Sequence, residues 1–268
     1  MNDQSTAWQH WFPLIEKAVG DLSRCMFDQV GLAAGHRVLD LATGIGEPAL
    51  EAAARVGPAG RVLGVDISPA MIDMAHVRAE AAGLTNAEFR VMDIGALSLP
   101  ESFDIVLSRC GLMFVEDLGA TLGGIRRVLE PGGRISASFW ASGDETPTLS
   151  LAERTAHRVL GLPPPDEGEK TPFALCDVAA TAAGLEDAGF ADVRLQRVAV
   201  TFEFKSAAQF VAYREALSSR FVAPMSGRGD RVRESILQAV VEAIAPYQEA
   251  DGRVRMENQA YSLSAVRP

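Results

Sequence analysis

Val38-Leu39-Asp40-Leu41-Ala42-Thr43-Gly44-Ile45-Gly46-Glu47-Pro48-Ala49-Leu50 is the stretch on which the fold turns. Val38, Leu39 and Leu41 form the short apolar run of a buried parallel strand. Gly44 and Gly46 admit positive φ, so the chain can turn tightly and a ligand can come close to its backbone. Pro48 has no amide hydrogen and a preset φ, which suits the first turn of a helix. The free N–H groups of that helix start would face whatever the turn holds.

Outward from this turn the same rhythm repeats. The first strand spans Arg37–Ala42 and its helix runs from Glu47 to Arg55. Gly57-Pro58-Ala59-Gly60 breaks the chain before a second strand, Arg61–Asp66. Ser68-Pro69 caps and starts a helix to about Ala82, which Gly83 ends. A third strand is predicted at Glu88–Met92 and a fourth at Phe103–Ser108. A helix over Asp117–Leu129, closed by Pro131-Gly132-Gly133, leads to a fifth strand at Arg134–Trp140. Strands alternating with helices predict βαβ units and a parallel sheet. Ligands of such sheets sit outside the carboxyl ends of the strands, at the switch point.

The flanks are less regular. Trp8, Trp11, Phe12, Ile15, Val19, Leu22 and Met26 recur at helical spacing, and Pro13 predicts two short helices there. This segment is either packed on the core or a lid. Residues 141–172 are loop-rich around a helical run at Leu149–Leu160, and Asp177–Ala188 is helical again. Val193–Phe204 and Gln259–Val266 alternate as strands do, with helices expected at 206–219 and 229–245.

Composition narrows the function. The 268 residues carry a net charge of −10, with basic residues scattered, which argues against a nucleic-acid partner. Three widely spaced cysteines, Cys25, Cys110 and Cys176, suggest neither a disulfide framework nor a zinc site. No signal peptide and no membrane span is expected, so the reading is a cytoplasmic protein.

Gly44-x-Gly46-x-x-Ala49 fits a dinucleotide fingerprint, and Asp66 lies 20 residues past Gly46 at the end of the second strand, where an acid would hold a ribose diol. An adenosine ligand follows, either nicotinamide or another nucleoside. Asp40 and Glu47 flank the turn, and a pyrophosphate would be repelled there by on the order of 1 kcal/mol or more. A ligand with an ammonium and a sulfonium would be attracted, and S-adenosylmethionine is such a ligand.

At these residues the chain resembles the class I S-adenosylmethionine-dependent methyltransferases, in particular the ubiquinone/menaquinone-biosynthesis C-methyltransferase-like group. Val38–Gly46 resembles their first motif, with Ala42 where the family has its usual first glycine. Gly64-Val65-Asp66-Ile67-Ser68-Pro69 resembles the second, and Val91-Met92-Asp93-Ile94 resembles the adenine segment. Phe103–Ser108 is similar to the fourth strand, and Leu129-Glu130-Pro131-Gly132-Gly133-Arg134 to the turn before the fifth. The resemblance implies an α/β, Rossmann-like, seven-stranded and mostly parallel sheet, its last strand antiparallel, with helices on both faces. It implies a single domain over 1–268: an N-terminal helical lid (1–35), a cofactor core (36–140), cap insertions (141–172 and 205–256) and the C-terminal part of the core (173–204 and 257–268). The cofactor site implied is Asp40, Ala42, Thr43, Gly44, Gly46, Asp66 on the ribose, Ile67 against adenine, Met71, Met92, Asp93 on the adenine amino group, Ile94, Ser108 and Arg109.

The expected reaction is methyl transfer from S-adenosylmethionine to a small-molecule acceptor by in-line displacement, leaving S-adenosylhomocysteine. Holding nucleophile and methyl in line can supply much of the acceleration, and a base is needed only for a nucleophile of high pKa. His10, His157 and Tyr213 are the candidate bases. Trp11, Met113 and Trp140 are candidates for the acceptor pocket, and Phe202, Phe204, Phe210, Phe221 and Met225 suggest an aromatic or lipophilic acceptor unless they are core. His36, before the first strand at the end of the sheet opposite the site, reads as structural, and His76, in the helix after the second strand, as solvated. Ser108-Arg109-Cys110-Gly111 stands where nitrogen methyltransferases of bases and amides carry Asn/Asp-Pro-Pro-Tyr, and no Asp/Glu/His grouping suggests a metal site. The alternatives are an S-adenosylmethionine-binding protein that catalyses a non-methylating reaction such as cyclisation, or senses the cofactor, and, more remotely, an NAD-dependent oxidoreductase.

Overall fold

The computed structural model describes residues 4–168 and 170–268. Seven strands form one open sheet: β1 Arg37–Leu41, β2 Arg61–Asp66, β3 Ala87–Val91, β4 Phe103–Arg109, β5 Leu129–Trp140, β6 Ala191–Phe204 and β7 Val254–Val266, in the order β3-β2-β1-β4-β5-β7-β6. Pairing is parallel from β3 through β5 and antiparallel between β5 and β7. The chain works outward from β1 to β3, then returns to lay β4 on the other side of β1. The carboxyl ends of β1 and β4 are therefore the switch point.

Nine helices are described: α1 Gln4–Val30, α2 Ala49–Val56, α3 Pro69–Ala81, α4 Leu118–Val128, α5 Pro147–Val159, α6 Val178–Asp187, α7 Ala207–Leu217, α8 Ser219–Val222 and α9 Asp230–Ile244. Their starts follow the capping rule. The side chains of Ser68, Asp117, Asp177 and Ser206 accept the amides of Met71, Ala120, Ala180 and Gln209.

Four local expectations are corrected. Pro13 does not break α1, because Trp11, Ile15, Val19, Leu22 and Met26 form one continuous buried stripe along it. Pro48 is the residue before α2, not part of its first turn. Pro131-Gly132-Gly133 lies inside β5 as an arch: Phe103 faces Leu129 and Ile105 faces Arg134. The arch is pinned by the Gly132 N–H to the Arg267 carbonyl (2.7 Å) and the Arg267 N–H to the Gly133 carbonyl (2.8 Å). β7 begins at Val254, earlier than Gln259. Its core face includes a polar residue, Asn258, whose amide donates to Thr148 Oγ1, the Val200 carbonyl and the Met256 carbonyl, and whose oxygen accepts the Thr148 N–H.

The chain divides into two compact units. One comprises Asp21–Trp140, Gly168–Val198 and Ala260–Pro268. Its core packs Met26, Phe27 and Val30 of α1 with Ala49, Leu50, Ala53 and Val56 of α2, Ile72, Ala75 and Ala79 of α3, and sheet residues Val38, Val62, Phe89, Ile105 and Leu107. Gln29 of α1 ties to the sheet by accepting the hydroxyls of Ser136 (3.2 Å) and Ser262 (2.6 Å). The other unit holds the residues up to Gly20, Ala141–Glu167 and Ala199–Gln259. Trp11, Phe202, Phe204, Phe210 and Tyr213 form its aromatic core. A buried ion network braces it: Glu153 accepts from Arg214 Nη2 (3.1 Å), Ser218 Oγ (2.6 Å) and Arg220 Nε (3.1 Å).

Candidate cofactor site

The site is built at the switch point. Ala42, Gly44 and Gly46 all have positive φ, at 57°, 56° and 103°. Ala42 takes the left-handed conformation that its family position normally gives to glycine, at a cost of roughly 1–2 kcal/mol. A Cβ on Gly46 would come within 3.0 Å of Leu50, whereas one on Gly44 would meet nothing within 4 Å. The Gly44 side of the turn is thus open. The Asp66 carboxylate spans the opening: Oδ2 accepts the Gly44 N–H and Oδ1 the Ser68 N–H, both at 2.9 Å. A carboxylate oxygen has two lone pairs, so each oxygen retains one for a diol. The turn's amide at Gly44 is consequently occupied by Asp66, not free for a ligand.

Asp40 lies beneath the turn, fully buried, and neither of its oxygens makes a hydrogen bond; the Thr43 hydroxyl is likewise buried without a partner. Burial pushes the Asp40 carboxyl up from 3.8 to about 7. The Thr43 hydroxyl, the Arg109 guanidinium and the Ala49 amide oppose the shift, while Glu47 adds to it, although neither Thr43 nor Ala49 makes a hydrogen bond of normal geometry to Asp40. These orphaned polar atoms fit a ligand whose cationic end is felt through the turn. Glu47 has a different place from the one expected. Its Oε1 accepts Arg78 Nη2 (3.0 Å), its Oε2 accepts the Glu51 N–H (3.3 Å), and Arg78 Nη1 donates to the Ile45 carbonyl (2.6 Å). Its charge is matched by a brace under the turn, so the bias against a pyrophosphate rests on Asp40.

Ile67 and Val91, at the ends of β2 and β3, are 69% and 52% exposed. Two branched apolar side chains in water at neighbouring strand ends suit the faces of a flat ring. Val91 was quoted with the adenine segment but not singled out as a site residue, because its place in the third strand looked like ordinary strand interior. Met71 and Met92 are half-buried, Ile94 is buried, and Asp93 is exposed with Oδ1 accepting the Gly95 N–H (2.9 Å). On β4, Ser108 is buried and donates to the Leu41 carbonyl (3.1 Å). Arg109 Nη1 donates to Ser23 of α1 (2.7 Å). Cys110 also has positive φ, at 56°, and a Cβ on Gly111 would come within 2.6 Å of the Ala42 Cβ. The ends of β1 and β4 therefore meet in a strained, tightly packed junction. Cys110 itself is no ready nucleophile, because burial raises its thiol pKa.

The other candidates fall into both units. His10 is exposed with its ring edge-on to Trp11, and Trp11 is edge-on to Tyr213 at 5.4 Å. Tyr213 is buried, and its phenol is pushed up to about 12, away from a base's range. His157 is elsewhere, with Nδ1 2.6 Å from the Pro163 carbonyl. Met113 and Trp140 are buried in the sheet unit. Phe202, Phe204, Phe210, Phe221 and Met225 are all buried, so they are core and give no support for a lipophilic acceptor. His36 accepts the Ala33 N–H through Nδ1 before β1, and His76 packs edge-on to Phe89, both structural. Among the described residues no cluster could hold a metal ion.

Residues 32–160 match the methyltransferase domain family model. An arsenite methyltransferase of Halobacterium salinarum is 39% identical over 108 residues, covering 40% of this chain and 28% of that protein. A demethylmenaquinone methyltransferase of Thermus thermophilus is 42% identical over 105 residues, covering 38% of this chain and 46% of that protein. The chain thus spans less than half the length of these relatives. A Haemonchus contortus phosphoethanolamine N-methyltransferase 2, solved with S-adenosyl-L-methionine, shares the fold with a TM-score of 0.59 at 20% identity, over 95% of this chain and 56% of that one. With its switch-point turn, its acid at the end of β2 and a methyltransferase domain matched over residues 32–160, the chain is similar to the class I S-adenosylmethionine-dependent methyltransferases, among them the ubiquinone/menaquinone-biosynthesis group.

Proposed function

We propose that the protein transfers a methyl group from S-adenosylmethionine to a small-molecule acceptor. The observation that carries this reading is the Asp66 carboxylate, fixed by two backbone amides across the one open face of the turn. Asp66 holds the ribose diol, Ile67 and Val91 flank the adenine, and Asp93 takes the adenine amino group. The open backbone at Gly44 lets the amino-acid tail approach, and the charge of Asp40 draws its ammonium. The cofactor supplies an electrophilic methyl on a sulfonium. The chain's part is to bind and orient it, so that the acceptor atom meets the methyl in line. In this reading residues 36–140 are the cofactor core, and residues 21–30 of α1 pack into that core and are no lid. No helix among the described residues is long and apolar enough to cross a membrane. The three cysteines are free, which accords with a reducing, cytoplasmic setting.

Calorimetric titration with S-adenosylhomocysteine and with NAD tests the cofactor. Binding of the first alone is expected, and binding of NAD alone overturns the proposal. Incubation with methyl-labelled cofactor and a cell extract tests the reaction. A labelled small product is expected. Cofactor binding without labelled product would point to a non-methylating use of the cofactor.

A further inference from the structure

Past the end of β4 the chain turns at Cys110, and Gly111 follows with φ −109° and ψ −43°, a conformation that makes no demand for glycine. Space makes the demand. A Cβ at residue 111 would lie 2.6 Å from the Ala42 Cβ, 2.8 Å from Ser108 Oγ and 3.2 Å from the Leu41 carbonyl oxygen. The serine hydroxyl is a terminal atom that can rotate, and the carbonyl need give only by a few tenths of an ångström. The Ala42 Cβ moves only with its backbone, and that backbone is tied on both sides. Ser108 Oγ donates to the Leu41 carbonyl (3.1 Å), and the Thr43 N–H donates to the Val65 carbonyl (2.9 Å). Across the junction the Cys110 N–H donates to the Ser138 carbonyl (3.0 Å) and the Phe114 N–H to the Gly111 carbonyl (3.1 Å). The pairing of β1 with β4 reaches Asp40 and Leu107, so this contact lies past the ladder, where Ala42 opens the turn. The junction has room for one methyl group, and Ala42 carries it.

We propose that Gly111 is a positioning residue for the cofactor turn: by leaving the space beside Ala42 free, it lets the ends of β1 and β4 close and sets the place of residues 43–46. This rests on the reading of that turn as the cofactor site. A methyl added at residue 111 drives Ala42 away from β4. The shift passes along the chain to Thr43, whose carbonyl accepts the Gly46 N–H (3.0 Å), and to Gly44, whose N–H is held by Asp66. A close-packed interior transmits such a displacement instead of absorbing it. Residues 42 and 111 are thus one steric unit. A methyl on both overfills the junction, a methyl on neither leaves a gap, and a methyl on either one fills it.

Calorimetric titration with S-adenosylhomocysteine decides it, on the full chain and on Gly111→Ala, Ala42→Gly and the double exchange, with denaturant unfolding of the same proteins alongside. Gly111→Ala is expected to bind about tenfold or more weakly, and Ala42→Gly to lose less. The double exchange is expected to recover to within about threefold of the native affinity, a departure from additivity that only residues in contact show. If Gly111→Ala does not fold, the double exchange should still fold and bind; failure of both to fold overturns the proposal. A double exchange that binds no better than Gly111→Ala overturns it too. So does recovery through Ser108→Ala in place of Ala42→Gly, which would put the collision at the hydroxyl. A Gly111→Ala protein that loses stability but binds with native affinity makes the glycine a packing residue only, and again overturns the proposal while leaving the cofactor reading intact. If the native protein binds no S-adenosylhomocysteine, the cofactor reading fails. The pair is then judged by unfolding, where mutual rescue leaves it standing and independent, additive effects sink it.

Discussion

Asp66 has two duties at once. It clamps the turn through the Gly44 and Ser68 amides and presents its remaining lone pairs outward. Asp66→Ala removes both, so affinity for S-adenosylhomocysteine should fall by on the order of 10–100-fold by calorimetry, in line with about 1.5–3 kcal/mol for bonds to a charged group. Asp66→Asn keeps one acceptor oxygen and should lose less. Unchanged affinity in the alanine variant would place the ribose elsewhere. At Ala42 the expectation runs the other way. Its left-handed backbone suits glycine, so Ala42→Gly should leave stability unchanged or raise it by up to about 1 kcal/mol, the relief of strain being partly offset by chain entropy. The place of Asp66 at the end of β2 was legible in the sequence because it depends on spacing alone. Glu47 was not, because the partner that neutralises it, Arg78, is 31 residues away in α3 and becomes a neighbour only on folding.

Elements were legible where local signals and tertiary packing agree, as in β2 and α3, whose breakers and cap stand at their ends, and at the Asp117 cap of α4. They were misread where packing overrides a local rule. Proline in a helix interior costs about 3 kcal/mol, yet α1 runs through Pro13 because its buried stripe is longer than either half could bury alone. Pro13→Ala should therefore raise the thermal midpoint by several degrees, read by calorimetric scanning; a drop would show that the proline shapes a bend the helix needs. The start of β7 was hidden by Asn258, a polar residue on the core face whose partners come from α5, β6 and its own strand. The network at Glu153 binds α5 to the segment from α7 to α8 in the same way. Glu153→Ala leaves Arg214 buried without its carboxylate and should destabilise by about 3–5 kcal/mol in denaturant unfolding. A loss below 1 kcal/mol would mean that Arg214 finds water.

At the scale of the whole molecule, the mostly parallel sheet was legible because strands alternate with helices along the chain, whereas the order of its strands emerges only on folding. The acceptor side was not legible either. Aromatic residues look the same in sequence whether they line a pocket or fill a core, and here Phe202, Phe204 and Phe210 fill the core. Burial also has a global consequence at Asp40. Its carboxyl is raised from 3.8 to about 7, so between those values the native state binds more protons than the unfolded chain. Stability from this group is then fully present below about pH 4 and is lost as pH rises through 7, by up to roughly 4 kcal/mol at 1.36 kcal/mol per pH unit. Asp40→Asn cannot ionise, so its stability should exceed that of the native protein by a margin that grows from pH 4 to 7 and is constant above. Denaturant unfolding at several pH values measures that margin. A difference independent of pH would show that Asp40 is already charged and paired in the native state, contrary to its place in the structure. A margin that grows with pH would show that the fold tolerates a buried carboxylate whose ionisation lowers stability.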